Sequence, residues 1–167
     1  MKCNAILKIG VLIEDKEKLL LIKEQSWKHK QLRWNIIKGT YDPLKDKNLT
    51  DTATRESFEE ARAKIQIKSL LNILYLKKNN QPFIQFNFIA ELKSIKKFKK
   101  QSTKIINHDD GRKENIVEVK LFSKDELKKL KPNELMGERT HVAIKDWLAY
   151  KPTTQSKIQI LKIVKNY

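Results

Sequence analysis

Three glutamates, Glu56, Glu59 and Glu60, fall within the stretch TRESFEEARAK at residues 54–64. On a helix, positions i, i+3 and i+4 share one face, so the three carboxylates would stand side by side. Like charges at that spacing repel by a few tenths of a kcal/mol per pair. The chain carries 36 Lys and Arg against 20 Asp and Glu, a formal net charge of +16, so this acid is concentrated against the general trend. A hard divalent cation would remove the repulsion. Mg²⁺ takes oxygen ligands, keeps several waters and bridges to substrate phosphates. Arg55 stands next to the cluster and can pair with one carboxylate and fix its rotamer. The plainer alternative is a solvated cluster balanced by Arg55, Arg62 and Lys64, and helix spacing alone favours it.

The surrounding sequence supplies elements that would hold such a cluster. Asn48 is a preferred N-cap residue and Asp51 lies near the positive end of the helix that follows, predicted to run to about Lys64. Ala53, Ser57 and Ala61 form a strip of small residues on its opposite side, which lets it lie close against a sheet. Upstream, the apolar run Trp34–Ile37 ends at Lys38-Gly39, followed by the polar loop TYDPLKDK. Ala5–Ile13 and Lys18–Lys23 read as a hairpin around a charged turn. Ile65–Leu76 reads as a strand with a turn at KKNNQP, and Phe83–Glu91 alternates, with Phe83, Gln85, Asn87 and Ile89 on one face. Leu92–Arg112 is Lys-rich and polar and reads as a long loop. Ile116–Phe122 is the next strand. Ser123 with Glu126 fits a capping box opening a short helix. A second helix is predicted from about Glu134 to Tyr150, with Ile144, Trp147 and Leu148 as its apolar stripe. The last residues, TTQSKIQILKIVKNY, fit strand and helix equally.

At 167 residues with only 4 Gly and 4 Pro, the chain is one domain's worth and no linker composition interrupts it. The expected division is a domain at 1–151 and a C-terminal tail of uncertain structure at 152–167. The charge implies an acidic partner such as a nucleotide, RNA or polyphosphate, although Lys scattered for solubility would give the same total. The single cysteine, Cys3, excludes an internal disulfide and points to a reducing cytoplasm. The N-terminal apolar run is cut by Lys8 and closes on Glu14-Asp15, too short to span a membrane. A monomer or a homodimer is expected.

The combination WNIIKG…TATRESFEEARA resembles the Nudix box, the loop–helix motif of hydrolases that cleave nucleoside diphosphates linked to another moiety. That motif runs Gly, five residues, Glu, seven residues, Arg-Glu, an apolar residue, any residue, Glu-Glu, any residue, Gly and an apolar residue. Gly39 matches the opening Gly, and Arg55-Glu56 with Glu59-Glu60 match its core. Arg55 lies two positions further from Gly39 than the motif has it. The first Glu is missing: counting forward from Gly39 gives Lys45, and counting back from Arg55 gives Lys47. Ser57 stands at the apolar position and Arg62 at the late Gly.

The resemblance implies an α/β fold, an α/β/α sandwich on a mixed sheet. It also implies water attack on a pyrophosphate bridge, with Mg²⁺ or Mn²⁺ held by Glu56, Glu59, Glu60 and the carbonyl of Gly39, and with Arg55 orienting the carboxylates. The general base would be a helix glutamate or a later one, with Glu114, just before its strand, preferred to Glu118. Arg33, Lys38 and the Lys cluster at 93–104 are candidates for substrate phosphates, and Trp27 or Tyr41 for stacking on a base, while Trp34 belongs in the core. His29, His108 and His141 show no metal-ligand spacing. Residues that mark known substrate subgroups are missing, so the implied substrate is a nucleotide, dinucleotide or RNA-end pyrophosphate without further definition. The alternative is a Nudix-fold module that binds RNA or a nucleotide through its basic surface and has lost catalysis.

Overall fold

The computed structural model describes residues 5–25, 31–78, 81–96, 104–107, 113–151 and 160–163. Nine strands form one sheet: β1 (Ile6–Asp15), β2 (Lys18–Gln25), β3 (Arg33–Asn35), β4 (Ile37–Thr40), β5 (Ala63–Lys78), β6 (Gln81–Ile95), β7 (Lys104–Asn107), β8 (Lys113–Phe122) and β9 (Ile160–Ile163). Their order is β7-β8-β2-β1-β6-β5-β9, with β3 on β2 and β4 on β1. β1–β6 and β5–β9 run parallel and the other pairs antiparallel, so the sheet is mixed.

The strands β1 and β2 are nearly continuous apolar runs because both of their faces are covered. Leu12, Leu19, Leu21, Ile36 and Ile89 pack on one side with Phe122, Leu127, Ala143, Ile144 and Trp147. Ile9, Val11, Ile13, Leu20, Ile22 and Ile37 pack on the other with Ala53, Ala61 and Ile116. The first layer is covered by α2 (Lys124–Lys129) and α3 (Glu138–Ala149), the second by α1 (Leu49–Ala61). Trp34 sits in the first core, edge-on to Phe122 at 4.7 Å between ring centroids.

The helix α1 begins as its sequence dictates. Asn48 Oδ1 accepts from the Thr50 and Asp51 amides at 2.9 and 3.0 Å, satisfying donors that the helix leaves open. Ala53, Ser57 and Ala61 are fully buried, and the Ser57 hydroxyl is satisfied inside the helix by the Ala53 carbonyl at 2.7 Å. The helix stops at Ala61, three residues before the predicted end. Arg62 turns left-handed (φ 55°, ψ 27°) and its amide caps the carbonyls of Ser57 and Phe58. Position 62 thus keeps the backbone that the motif's Gly would take, built with an arginine.

Other elements differ from expectation in extent. The strand after α1 starts at Ala63, two residues early, because Arg62 reverses the chain at once. The expected loop at 92–112 is partly sheet: β6 continues to Ile95, and β7 pairs with β8 over Lys104–Asn107. Residues 97–103 of the Lys cluster at 93–104, the stacking candidate Trp27, and His29 and His108 lie outside the described residues. The Ser123–Glu126 capping box is present. The predicted helix from Glu134 is instead a 3-10 turn, Pro132–Glu134, then α3 from Glu138, with Gly137 between them at φ 96°, a conformation that favours glycine. Of the tail, Ile160–Ile163 adds a strand beside β5. No helix of the described residues is long and apolar enough to cross a membrane.

Candidate active site

Gly39, on β4, and Glu56, on α1, touch. A Cβ on Gly39 would fall 2.1 Å from Cγ, Cδ and Oε1 of Glu56, so the glycine makes room for the carboxylate. Glu60 lies beside it at the same strand, its Oε2 accepting the Lys38 amide at 3.3 Å. Glu56 and Glu60 are buried, 5% and 2% exposed, while the Glu59 side chain is 44% exposed.

Arg55 is a positive partner of Glu56 and Glu59. Its Nη1 donates to Glu56 Oε1 at 2.7 Å and to Glu59 Oε2 at 3.3 Å, and its Nη2 also reaches the Thr40 carbonyl at 3.3 Å. The guanidinium is held from behind by Asp46, which accepts from Nε and Nη2 at 2.8 Å each. Asp46 is 3% exposed and takes further bonds from the Thr52 hydroxyl at 2.8 Å and the Asp42 amide at 3.2 Å. The Arg55 hydrogen bonds hold the Asp46 carboxyl down at about 2, and Asp46 in turn raises the Arg55 guanidinium above its usual range. Charge-assisted two-point contacts of this kind fix both partners' rotamers.

Asp46 escaped the sequence reading, although a signal existed. It stands one position before Lys47, where counting back from Arg55 puts the missing first Glu, and it carries the carboxylate that supports the arginine. The loop's altered length moves that acid by one residue.

The other candidates divide. Lys38 joins the cluster through its amide, while its side chain reaches the opposite core: Nζ donates to Thr140 Oγ1 at 3.1 Å. From there Thr140 donates to Asn35 Oδ1 at 2.5 Å, and Asn35 Nδ2 to Glu24 Oε1 at 2.5 Å. Arg33 opens β3 opposite Glu24, and its Nε is buried without a hydrogen-bond partner. Glu118 lies on β8 and pairs with Lys23 of β2 at 3.9 Å, with β2 between it and β3. Glu114, expected in a loop before the strand, is already within β8, opposite Ile106. The β7 partner extends the ladder and draws it in.

The donor set suits a hard divalent ion: three carboxylates, two of them buried, one seated against a glycine backbone. In this structure Arg55 spans Glu56 and Glu59, and among the described residues no three Asp, Glu, His or Cys side chains are gathered as a ready coordination group.

The layers, the mixed sheet and a carboxylate helix laid against a strand define a mixed α/β architecture. A family model for the NUDIX domain matches residues 6–143, and the chain belongs to the Nudix family. A NUDIX hydrolase from Nitrosomonas europaea is similar in fold, with a TM-score of 0.68 and 21% identity over 87% of this chain and 90% of that one. An ADP-ribose pyrophosphatase from Streptococcus suis gives 0.64 and 19%, covering 93% and 98%. The NUDIX domain of Shewanella oneidensis NrtR, complexed with ADP ribose, gives 0.58 and 16%, covering 86% of each chain. No curated protein sequence matches. Family membership supports a pyrophosphohydrolase enzyme, and Nudix hydrolases generally use divalent metal ions.

Proposed function

We propose that the chain hydrolyses a pyrophosphate bond in a nucleoside diphosphate derivative, with Glu56, Glu59, Glu60 and the Gly39 carbonyl holding Mg²⁺ or Mn²⁺. The carrying observation is the seating of Glu56 against Gly39 beside buried Glu60, with Arg55 and Asp46 fixing the arrangement. Two carboxylates buried at a strand edge are costly unless something positive completes them.

A bound divalent cation supplies polarised phosphoryl oxygens and a water of lowered pKa. The chain's own residues do the rest. Gly39 leaves the space that Glu56 fills. Asp46 orients Arg55, and Arg55 orients Glu56 and Glu59. Glu59, the most exposed of the three, is the helix carboxylate proposed to take a proton from attacking water. Glu114 and Glu118 are the later candidates for that role. Lys38 and Arg33 are proposed to face the substrate's phosphates. We place the protein in the cytoplasm, consistent with its one cysteine.

A second reading, a module that binds a nucleotide or RNA without turnover, draws on the Arg55 bridge between Glu56 and Glu59 and on the +16 charge. One experiment separates the two. Phosphate release is measured over a panel of nucleoside triphosphates, dinucleoside polyphosphates, ADP-ribose and 5′-triphosphate RNA, with Mg²⁺ or Mn²⁺, beside Glu59→Gln/Glu60→Gln. Metal-dependent turnover that the double variant loses supports the hydrolase. No turnover, with tight salt-sensitive RNA binding, supports the module.

A further inference from the structure

On the side of the sheet away from α1, three cations stand around the first turn of α3. Arg139 donates from Nη1 to Gln85 Oε1 at 2.8 Å, with its guanidinium 4.7 Å from the Phe83 ring centroid. Lys8 is the β1 neighbour of Gln85 and donates to the Thr40 hydroxyl. Lys38 reaches Thr140, the residue after Arg139. Strand alternation puts Lys8, Lys38 and Gln85 on the face of Leu12, Ile36 and Ile89, the face that α3 covers.

Among the described residues no carboxylate touches Arg139. A counter-charge is reached through a chain of amides. Gln85 Nε2 donates to Asn87 Oδ1 at 2.7 Å, Asn87 Nδ2 to Asn72 Oδ1 at 2.7 Å, and Asn72 Nδ2 to Asp146 Oδ2 at 2.6 Å. Gln85 and Asn87 are fully buried and Asn72 is 3% exposed. Every donor points the same way, from the cation at one end to the carboxylate at the other. The Lys38–Thr140–Asn35–Glu24 chain has the same polarity. Both chains hold the positive end at the start of α3 and the negative end away from it. Burial pushes the Arg139 guanidinium pKa down, yet an arginine stays charged in proteins. A desolvated cation with only a neutral oxygen and a ring beside it is completed by an anion from outside.

The amide of Lys38 contacts Glu60, and its side chain reaches α3. Lys38 therefore joins the two places, its amide at the carboxylate cluster and its ammonium at the start of α3 across β4. We propose that Arg139, Lys8 and Lys38 form a phosphate subsite, and that the substrate is a triphosphate rather than a diphosphate joined to a neutral sugar. This rests on the hydrolase reading for its chemistry, not for its binding.

The test compares kcat/KM for a nucleoside triphosphate and the matching nucleoside diphosphate sugar, with Mg²⁺, in wild type, Arg139→Gln and Lys8→Gln. Wild type is expected to favour the triphosphate. Each variant is expected to lower the ratio about tenfold, mainly through KM, as loss of one charge-assisted bond would. Parallel loss on both substrates, or an unmoved ratio, overturns the subsite. Calorimetric titration with tripolyphosphate and with pyrophosphate, without added metal, reads the site independently of turnover. Tighter tripolyphosphate binding that weakens about tenfold in the variants supports the subsite even if no hydrolysis occurs, which would instead remove the hydrolase reading. Equal binding of the two anions overturns the subsite even in an active enzyme. Lys8→Gln carries the test alone if Arg139→Gln does not fold.

Discussion

Asp46 and Arg55, nine positions apart, meet in a two-point contact, Nε to Oδ1 and Nη2 to Oδ2, both at 2.8 Å. The loop before α1 and the middle of α1 are joined there, and the same guanidinium reaches forward to Glu56 and Glu59. Asp46→Ala removes the buried half of the pair and leaves the guanidinium unbalanced from behind. The expected loss is about 3 kcal/mol of stability, read by urea denaturation, together with a fall in kcat as Glu56 loses its fixed partner. An activity loss with no loss of stability would contradict the supporting role given to Asp46.

The same pair predicts an acid dependence. Asp46 titrates at about 2 in the folded chain, below its unfolded value near 4. A depressed carboxyl adds stability that is fully present above the unfolded pKa and is lost as pH falls through the folded one. Between about pH 4 and pH 2 this one group should account for about 2 kcal/mol of acid destabilisation. Thermal melts across that window should show a shallower decline in Asp46→Asn than in wild type.

Gly39→Ala should separate activity from stability. The added methyl would meet Cγ, Cδ and Oε1 of Glu56, so that side chain must turn at its root and leave Arg55, while no backbone atom is among the nearest neighbours. The melting temperature is expected to move by a few degrees at most, while metal-dependent turnover falls about a hundredfold through displacement of Glu56. A variant that keeps full activity would remove Glu56 from the site.

Gly10→Ala should do the reverse. Its methyl would fall 2.0 Å from Asn87 Oδ1, in an amide chain with no exposed surface to move into. About 2 kcal/mol of destabilisation is expected, measured by chemical denaturation.

Arg62→Gly tests the end of α1. A left-handed arginine costs about 1 kcal/mol relative to glycine there, offset in part by the stacking of Arg62 over the Phe58 ring at 5.2 Å. A net gain of a few tenths of a kcal/mol or more is expected in the denaturation midpoint.

Features governed by neighbours in sequence were legible in the sequence. The Asn48 cap, the Ser123–Glu126 capping box and the Ala53–Ser57–Ala61 strip each follow from residue types within one or two helical turns. The polar core did not follow. Gln85 and Asn87 alternate with Ile84, Phe86 and Phe88 as a solvent face would, yet they are fully buried. What satisfies them comes from Asn72 and Arg139, on other elements. Glu24 and Arg139 were invisible for the same reason. The carboxylate helix was legible because its chemistry depends on helical spacing. Asp46 was not, because its place is set by loop path.

The parallel seam of β1 on β6 bears on the order in which the chain folds. Ile6 pairs with Phe83 and Glu14 with Glu91, so the middle of the sheet joins segments separated by α1 and by the whole of β5. Such distant pairings are slow to form, because the loop must close before any contact rewards it. During synthesis the N-terminal strands and α1 emerge well before β6. Until Glu91 has been made, β1 has one edge without its partner. The nascent protein therefore passes through a long interval in which β1 is half-paired, and this interval is where association with other chains competes with folding.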